Sequence, residues 1–174
     1  IFGLNDEADM ISNMYSDGSK YCYAFAGAFD DDIYSSFGFE EYTNTLDFIK
    51  YKGWMYSLFP RDIKPTINNG KVIVGKLTNS DTSFVSFVDS LNVLKQILYS
   101  SNLGLNNSVL VTPDSCELVT GYVKLANNLH VLSVKKYKNY KLLWHKEYGG
   151  NNYTEGYDLN LLPNVIYLFS VIQN

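Results

Sequence analysis

Residues 83–101, SFVSFVDSLNVLKQILYSS, set Phe84, Phe87, Val88, Leu91, Leu94 and Leu98 three and four positions apart, the period of one helical stripe. Val85, Val93 and Ile97 widen the apolar surface beyond that stripe, and only Asp89 and Lys95 carry charge. A helix this apolar needs cover on more than one side. Asn79, Ser80, Asp81 and Thr82 stand where an N-cap belongs, and Asn102 or Gly104 where a left-handed residue would close the helix. The stretches on either side read as strands. The expected fold class is therefore α+β: an antiparallel sheet wrapped around one long central helix, with Phe84, Phe87, Leu91, Leu94 and Leu98 in the core.

A chain of 174 residues with 46% hydrophobic content can fill one core. No linker, repeat or break in composition divides it, so residues 1–174 read as a single domain. Its start at Ile1 rather than Met reads as a processed fragment or an excised domain. KYCYAFAGAF (20–29), IYSSFGF, LDFIKY and GWMYSLF follow one another in the rhythm of a meander. Asn69–Gly70 is the strongest hairpin signal and is expected to join TIN to KVIVGKL. Beyond the helix, SVLVTP, ELVTGYVKLA, LHVLSVKKY, YKLLWHKEY and VIYLFSVI form a second meander, turning at Asn127–Asn128, Lys138–Asn139 and Gly149–Gly150. No stretch approaches the ~18 consecutive apolar residues of a membrane span, so no membrane insertion is expected.

The chemistry-bearing residues are sparse. His130 and His145 lie in no metal-ligand spacing, and neither a glycine-rich phosphate loop nor a nucleophile elbow occurs. Cys22 with a histidine base is the one conceivable nucleophile, supported by residue type alone. Cys22 and Cys116 read instead as small buried thiols. Asp30, Asp32 and Glu41 fall at calcium-loop positions, but Tyr34 and Ser35 occupy places that need a ligand and a glycine, which leaves an acidic surface turn. Asn106 and Asn152 open glycosylation sequons, a pattern common by chance in Asn-rich chains. The reading is a non-enzyme with no cofactor and no metal.

Binding chemistry is richer. The chain holds 15 Tyr and 10 Phe, one arginine (Arg61) and a net charge of −4, a balance that argues against a nucleic-acid partner. KKYKNYKLLWHK (135–146) interleaves lysines with Tyr137, Tyr140 and Trp144, which suits phosphate and base contacts or simply a soluble exposed hairpin. A third reading is carbohydrate recognition, in which sugar rings stack on aromatic faces while polar side chains bond their hydroxyls. Tyr140, Trp144, Tyr148, Asn152 and Tyr153 are the candidate glycan-binding residues. By simple alternation Tyr140, Leu142, Trp144, Lys146 and Tyr148 share one strand face, directed either outward to a ligand or inward to the core. Trp54 and Tyr56 form a weaker alternate pair. The rival reading is a protein-interaction domain that uses an exposed strand edge or aromatic patch.

The last third, LHVLSVKKYKNYKLLWHKEYGGNNYTEGYDLNLLPNVIYLFSVIQN, resembles the glycan-binding head domains of rotavirus outer-capsid spike proteins in its order of elements. That order is a strand, a basic turn, a strand bearing Tyr or Trp, a polar loop and a closing aromatic strand. The galectin-like heads are two-sheet sandwiches without a long helix, so the group B head, a β-sheet clasping a helix, is the better match. The resemblance implies attachment to host cell-surface glycans of N-acetyllactosamine type. It also implies a place on the virion outer capsid (host cytoplasm during assembly) and the remainder of the spike as a partner. None of the galectin-like sugar-binding residues aligns with this chain.

Overall fold

The run that reads as a helix is a hairpin. A computed structural model describes residues 10–29, 34–149, 151–163 and 165–173. Every regular element among them is a strand, so no helix is long and apolar enough to cross a membrane. In order these are β1 (Met10–Ser16), β2 (Lys20–Phe29), β3 (Tyr34–Thr43), β4 (Phe48–Trp54), β5 (Leu58–Pro65), β6 (Lys71–Leu77) and β7 (Thr82–Val88). They continue with β8 (Leu94–Val111), β9 (Glu117–Lys124), β10 (His130–Lys138), β11 (Lys141–Tyr148), β12 (Tyr153–Leu162) and β13 (Val165–Gln173). The sheets are four-stranded β1-β2-β3-β4, seven-stranded β11-β10-β9-β8-β7-β6-β5 and two-stranded β12-β13, with antiparallel pairing throughout.

The seven-stranded sheet is two meanders that share one strand of 18 residues. Residues 94–103 of β8 pair with β7, and residues 104–111 pair with β9. At the handover Gly104 lies so close to β9 that a Cβ would run into the carbonyl oxygen of Tyr122. The chain is thus a series of four-stranded antiparallel units: β1–β4, then β5 to the first half of β8, then the second half of β8 to β11. The hairpin β12–β13 begins a fourth. A four-stranded meander repeated side by side is the blade arrangement of a β-propeller. A repeat therefore exists, where the amino-acid sequence shows none on its surface.

The second blade explains why a helix was expected. Its one face packs on the first blade: Phe84, Val88 and Ile73 join Tyr15, Cys22, Phe37 and Phe39. Its other face packs on the third: Val72, Val74, Val85 and Phe87 join Val109, Val119 and Tyr137. A strand covered on both faces loses its polar alternation and reads as a continuous apolar run, which at these positions also fits a helical stripe. The α+β architecture with a central helix is overturned. Phe84 and Phe87 are core residues, Leu94 and Leu98 are half-buried, and Leu91 is 79% exposed at a turn. Asp89 makes that turn, its Oδ1 accepting from the Leu91 and Val93 amides at 2.9 and 2.8 Å.

One turn geometry serves five hairpins, at 43–47, 66–70, 89–93, 112–116 and 125–129. In each the first residue's amide donates to the fifth residue's carbonyl, and the fourth residue's amide donates back to the first residue's carbonyl. The fourth residue (Leu46, Asn69, Asn92, Ser115, Asn128) sits at φ between 60 and 65°. This is a type I turn closed by a left-handed residue. The hairpin expected at Asn69–Gly70 is present, with the positive φ on Asn69. Between β10 and β11 the turn is the two-residue form, Asn139 and Tyr140 at φ 50 and 65°. Asp30, Asp31, Asp32 and Gly150 lie outside the described residues.

Strand and helix readings give opposite outcomes on truncation. Leu91→Ala is expected to leave stability within ~0.5 kcal/mol of the parent, as for an ordinary surface site. Phe84→Ala is expected to cost ~3–5 kcal/mol through the cavity it leaves between two blades. Urea denaturation of both variants checks this; equal, large losses would restore the helix.

Candidate functional site

The first strand of each blade carries a β-bulge at an equivalent place. The register slips between Ile11 and Met14 in β1, between Pro60 and Asp62 in β5, between Asn106 and Ser108 in β8, and between Gly156 and Asp158 in β12. The inserted residues include Asn13, Arg61, Asn107 and Tyr157. A bulge turns a side chain out of the ladder and re-aims it, and such re-aimed residues are frequent beside functional sites. These first strands lie next to one another, so the bulge residues converge. Together with Leu105, Tyr122 and Glu155 they line one cleft of about 400 Å³.

A second set of contacts locks the strands beneath the cleft. Asp62, Ser108 and Asp158, each the residue after a bulge, meet across three blades. The Ser108 hydroxyl lies 3.1 Å from Asp62 Oδ2 and 2.9 Å from Asp158 Oδ1. The Val109 amide donates to Asp62 Oδ2 at 3.0 Å, and Asn107 Nδ2 donates to the Gly156 carbonyl at 2.8 Å. Burial pushes the Asp62 carboxyl up against the opposing pull of Lys64 and the Val109 amide.

Glu155 is the electrostatic centre of the cleft wall. Its Oε1 accepts from the Tyr153 hydroxyl at 2.6 Å and lies 2.5 Å from His130 Nδ1, a contact that requires a proton on that nitrogen. Burial would lift its carboxyl, but hydrogen bonds from Tyr153, His130 and Tyr157 outweigh burial and hold it below its ordinary 4.5. The hydrogen bond to Glu155, with burial, pushes the Tyr157 phenol up. The His130 ring stacks on Tyr122 at 3.9 Å between centroids and packs against Tyr153 at 4.3 Å. Across the cleft the Arg61 guanidinium sits 5.0 Å over the Phe59 ring, and among the described residues no carboxylate forms a salt bridge with it. The site therefore offers one unpaired cation, amide and phenol groups, and aromatic faces.

The glycan-binding candidates drawn from sequence do not gather in one place. Tyr153 belongs to the Glu155 network. Trp144 and Tyr148 lie on β11, 37% and 49% exposed. Tyr140 is in the β10–β11 turn with its ring edge-on to Phe87 at 5.1 Å, and Asn152 is exposed ahead of β12. Simple alternation fails along β11 because Lys136 pairs with Trp144 while Tyr137 pairs with Leu142. That bulge puts Leu142 on the face opposite Trp144, Lys146 and Tyr148. Trp54 packs on Phe37 and Phe39, and Tyr56 touches Phe37 edge-on.

Other readings meet specific side chains. Cys22 and Cys116 are buried free thiols, and burial pushes Cys22 up to about 11, far from a ready thiolate. Lys135 is buried between blades, where its Nζ donates to Ser83 and Asn106 at 3.3 and 3.2 Å, so it is withdrawn from any phosphate surface. Asn106 is buried too, its Nδ2 donating to the Phe84 carbonyl at 2.8 Å, which closes that sequon in the folded chain. Among the described residues no group of three His, Cys, Asp or Glu side chains gathers as a metal site.

The cleft was missed because its residues share a backbone position and not a motif. The usable signal lay in the second strands: Gly75 in KVIVGKL and Gly121 in ELVTGYVK each follow a five-residue turn that opens with Thr66 or Thr112. Gly75 pairs with Pro60 and Gly121 with Asn106, beside the bulges, where a Cβ would run into the Phe59 or Leu105 carbonyl oxygen.

Two outcomes are expected. Because the folded Glu155 titrates below 4.5, its contribution to stability is complete above that pH and is lost as pH falls through its folded value. Glu155→Gln should therefore flatten the acid limb of a stability–pH curve; an unchanged limb would show that Glu155 is not held as described. Ser108→Ala should cost ~1–3 kcal/mol in denaturant titration, since it leaves Asp62 short of a partner in a buried setting.

Compared with known protein families and with curated proteins, the chain matches none.

Proposed function

We propose that this is a non-enzymatic glycan-binding module whose ligand seats in the bulge-lined cleft. The observation that carries the reading is the convergence of Arg61, Asn107, Tyr157, Tyr122 and Glu155 from separate blades onto one small cavity. Amides, a guanidinium and a carboxylate can exchange hydrogen bonds with ring hydroxyls, while tyrosine rings cover the apolar faces of a sugar. At about 400 Å³ the cleft is near the lower end of ligand-pocket sizes, which suits a terminal sugar or two. Galactose-containing chains of N-acetyllactosamine type, presented on cell surfaces for attachment, are the proposed ligands. The virion setting came with the resemblance to rotavirus heads, whose expected clasped-helix architecture this chain does not have; cleft chemistry carries the proposal instead.

Affinity per site is expected to be weak, with dissociation constants of order 0.1–10 mM, or ~3–5 kcal/mol. Each sugar hydroxyl gives up water first, so a hydrogen bond nets only ~1 kcal/mol. Multivalent display on a glycan array raises such binding into range by ~10²–10⁴. Arg61→Ala and Tyr157→Ala should each abolish array binding with melting unchanged, and Trp144→Ala should leave it intact. Loss with Trp144→Ala alone would move the site to β11. Failure of a multivalent form to bind any glycan would end the reading.

A further inference from the structure

A cavity of about 180 Å³ lies where the second and third blades meet, at the end that carries their five-residue and two-residue turns. Its wall comes from the turns at 66–70, 89–93, 112–116 and 139–140, with Phe87 of β7 and Glu117 of β9 beneath them. Both blades have all four strands. No residue of this wall lines the bulge-lined cleft. On β9, Glu117 and Tyr122 are five residues apart, or ~17 Å along an extended strand. The cavity is a separate place from the proposed sugar site.

Alternation along β9 sets the direction of Glu117. Val119 joins Val72, Val85 and Phe87 of the second blade, and residue 117 lies on the same face two positions earlier. The Glu117 side chain therefore points at the second blade, just beyond that apolar cluster, and the residue is only 7% exposed. Its Oε2 has no hydrogen-bond partner among the described residues. A buried carboxyl oxygen without a donor is costly and calls for an explanation. The other charged groups of the wall are already engaged. Lys71 turns its ammonium to Glu41, 2.7 Å away in the interface with the first blade. Asp89 Oδ1 caps its own turn, and its Oδ2 meets Lys95 at 2.8 Å.

The interface of the first two blades shows what this one lacks. Lys71 and Glu117 are each the first residue of the second strand in their blade. The Lys71 ammonium stands against both the Glu41 carboxylate and the Phe39 ring, 4.2 Å from its centroid. Here a carboxyl takes the place of Lys71, and Phe87 and Tyr140 supply rings 5.1 Å apart. Among the described residues no ammonium joins them. We propose that the cavity binds an alkylammonium ion, its nitrogen on Glu117 and its carbon chain against Phe87 and Tyr140. A carboxylate and aromatic rings together attract a cation. The volume equals roughly six waters at ~30 Å³ each, which suits an ammonium on a short chain. Thr66, Ser115 and Asn139, also in the wall, offer oxygens to the remaining N–H groups. The same group ends a lysine side chain, so its source is a small free amine or a lysine of another polypeptide.

The test is a titration of the ¹⁵N-labelled 174-residue chain with n-butylammonium chloride at pH 8, read by NMR at the backbone amides of Phe87, Glu117 and Asn139. Burial pushes the Glu117 carboxyl up to about 7, so it is ionised at that pH, while an alkylammonium keeps its charge up to about pH 10. The three amides should shift saturably, and sodium chloride or 1-butanol should not reproduce the shift. Glu117→Gln should bind at least about tenfold more weakly. Tyr140→Gly should weaken binding as well; it removes one ring while giving the turn its favoured Asn-Gly pair, which keeps the hairpin folded even where Glu117→Gln does not fold. No saturable shift, an equal shift with 1-butanol, or parent-like binding by either folded variant overturns the proposal. Nα-acetyl-lysine amide, titrated alongside, assigns the source: tighter binding than n-butylammonium marks a lysine side chain, and weaker binding a free amine.

Discussion

Three of the first strands, β5, β8 and β12, meet at one hydroxyl. Ser108 has one proton to donate and stands within hydrogen-bond distance of both Asp62 and Asp158. That hydroxyl is shared between the two carboxylates, 3.1 Å from Asp62 Oδ2 and 2.9 Å from Asp158 Oδ1. Burial raises the Asp62 carboxyl, and the Lys64 ammonium at 3.1 Å with the Ile63 and Val109 amides at 2.9 and 3.0 Å oppose that rise. Through Asp62, Ser108 and Asp158, β5, β8 and β12 are tied in sequence. Arg61, Asn107 and Tyr157 immediately precede these residues. The cleft keeps its shape because the strands that carry it cannot slide at the next position.

Between blades, equivalent positions meet different chemistry. Lys71 and Glu117 each follow the first turn of their blade, and each faces the blade before it. Lys71 finds Glu41 at 2.7 Å and the Phe39 ring at 4.2 Å, and Lys50 and Lys20 complete the ring of charge. Burial would lift the Glu41 carboxyl, but the lysines win and hold it below its ordinary range. Glu117 faces Phe87 and Tyr140 and forms no salt bridge among the described residues. Its Oε2 has no hydrogen-bond partner among the described residues, and burial pushes the group up to about 7. One interface holds a buried ion network and the other a carboxyl that is neutral below neutrality, so the backbone repeats without repeating its electrostatics.

That divergence also governs how much could be read from residues alone. Strands at 20–29 and from 117 to 148 were legible because alternation, turn residues and β-branched content agreed. The 83–101 run failed because burial on both faces erased alternation, and because Asp89, Ser90 and Asn92, which lie between members of the apolar stripe, have the chemistry of a turn. β12 was missed for the opposite reason: YTEGYDLNLL is polar, since its bulge faces the cleft and Asp158 belongs to the stitch. Tyr153, singled out for its ring, donates its hydroxyl to Glu155 in the cleft wall. Arg61, the only arginine, was not among the candidate site residues because nothing local marks a bulge.

The proposed site, assembled this way, would have a particular kind of specificity. Asn13, Arg61, Asn107 and Tyr157 reach the cleft from equivalent backbone positions, yet they differ in charge, size and hydrogen-bonding capacity. A ligand there meets a symmetrical scaffold with an asymmetrical lining. The scaffold sets where side chains arrive, and the stitch beneath sets how firmly; neither demands a given residue at the bulge itself. Substitution at these positions can therefore change what binds without changing how the blades pack. The same separation does not hold on β11, where Trp144 and Tyr148 occupy a face that the blade plan uses for packing. The polar side chains that the bulges bring together at one cleft, and not the aromatic rings of β11, are what the proposed binding rests on.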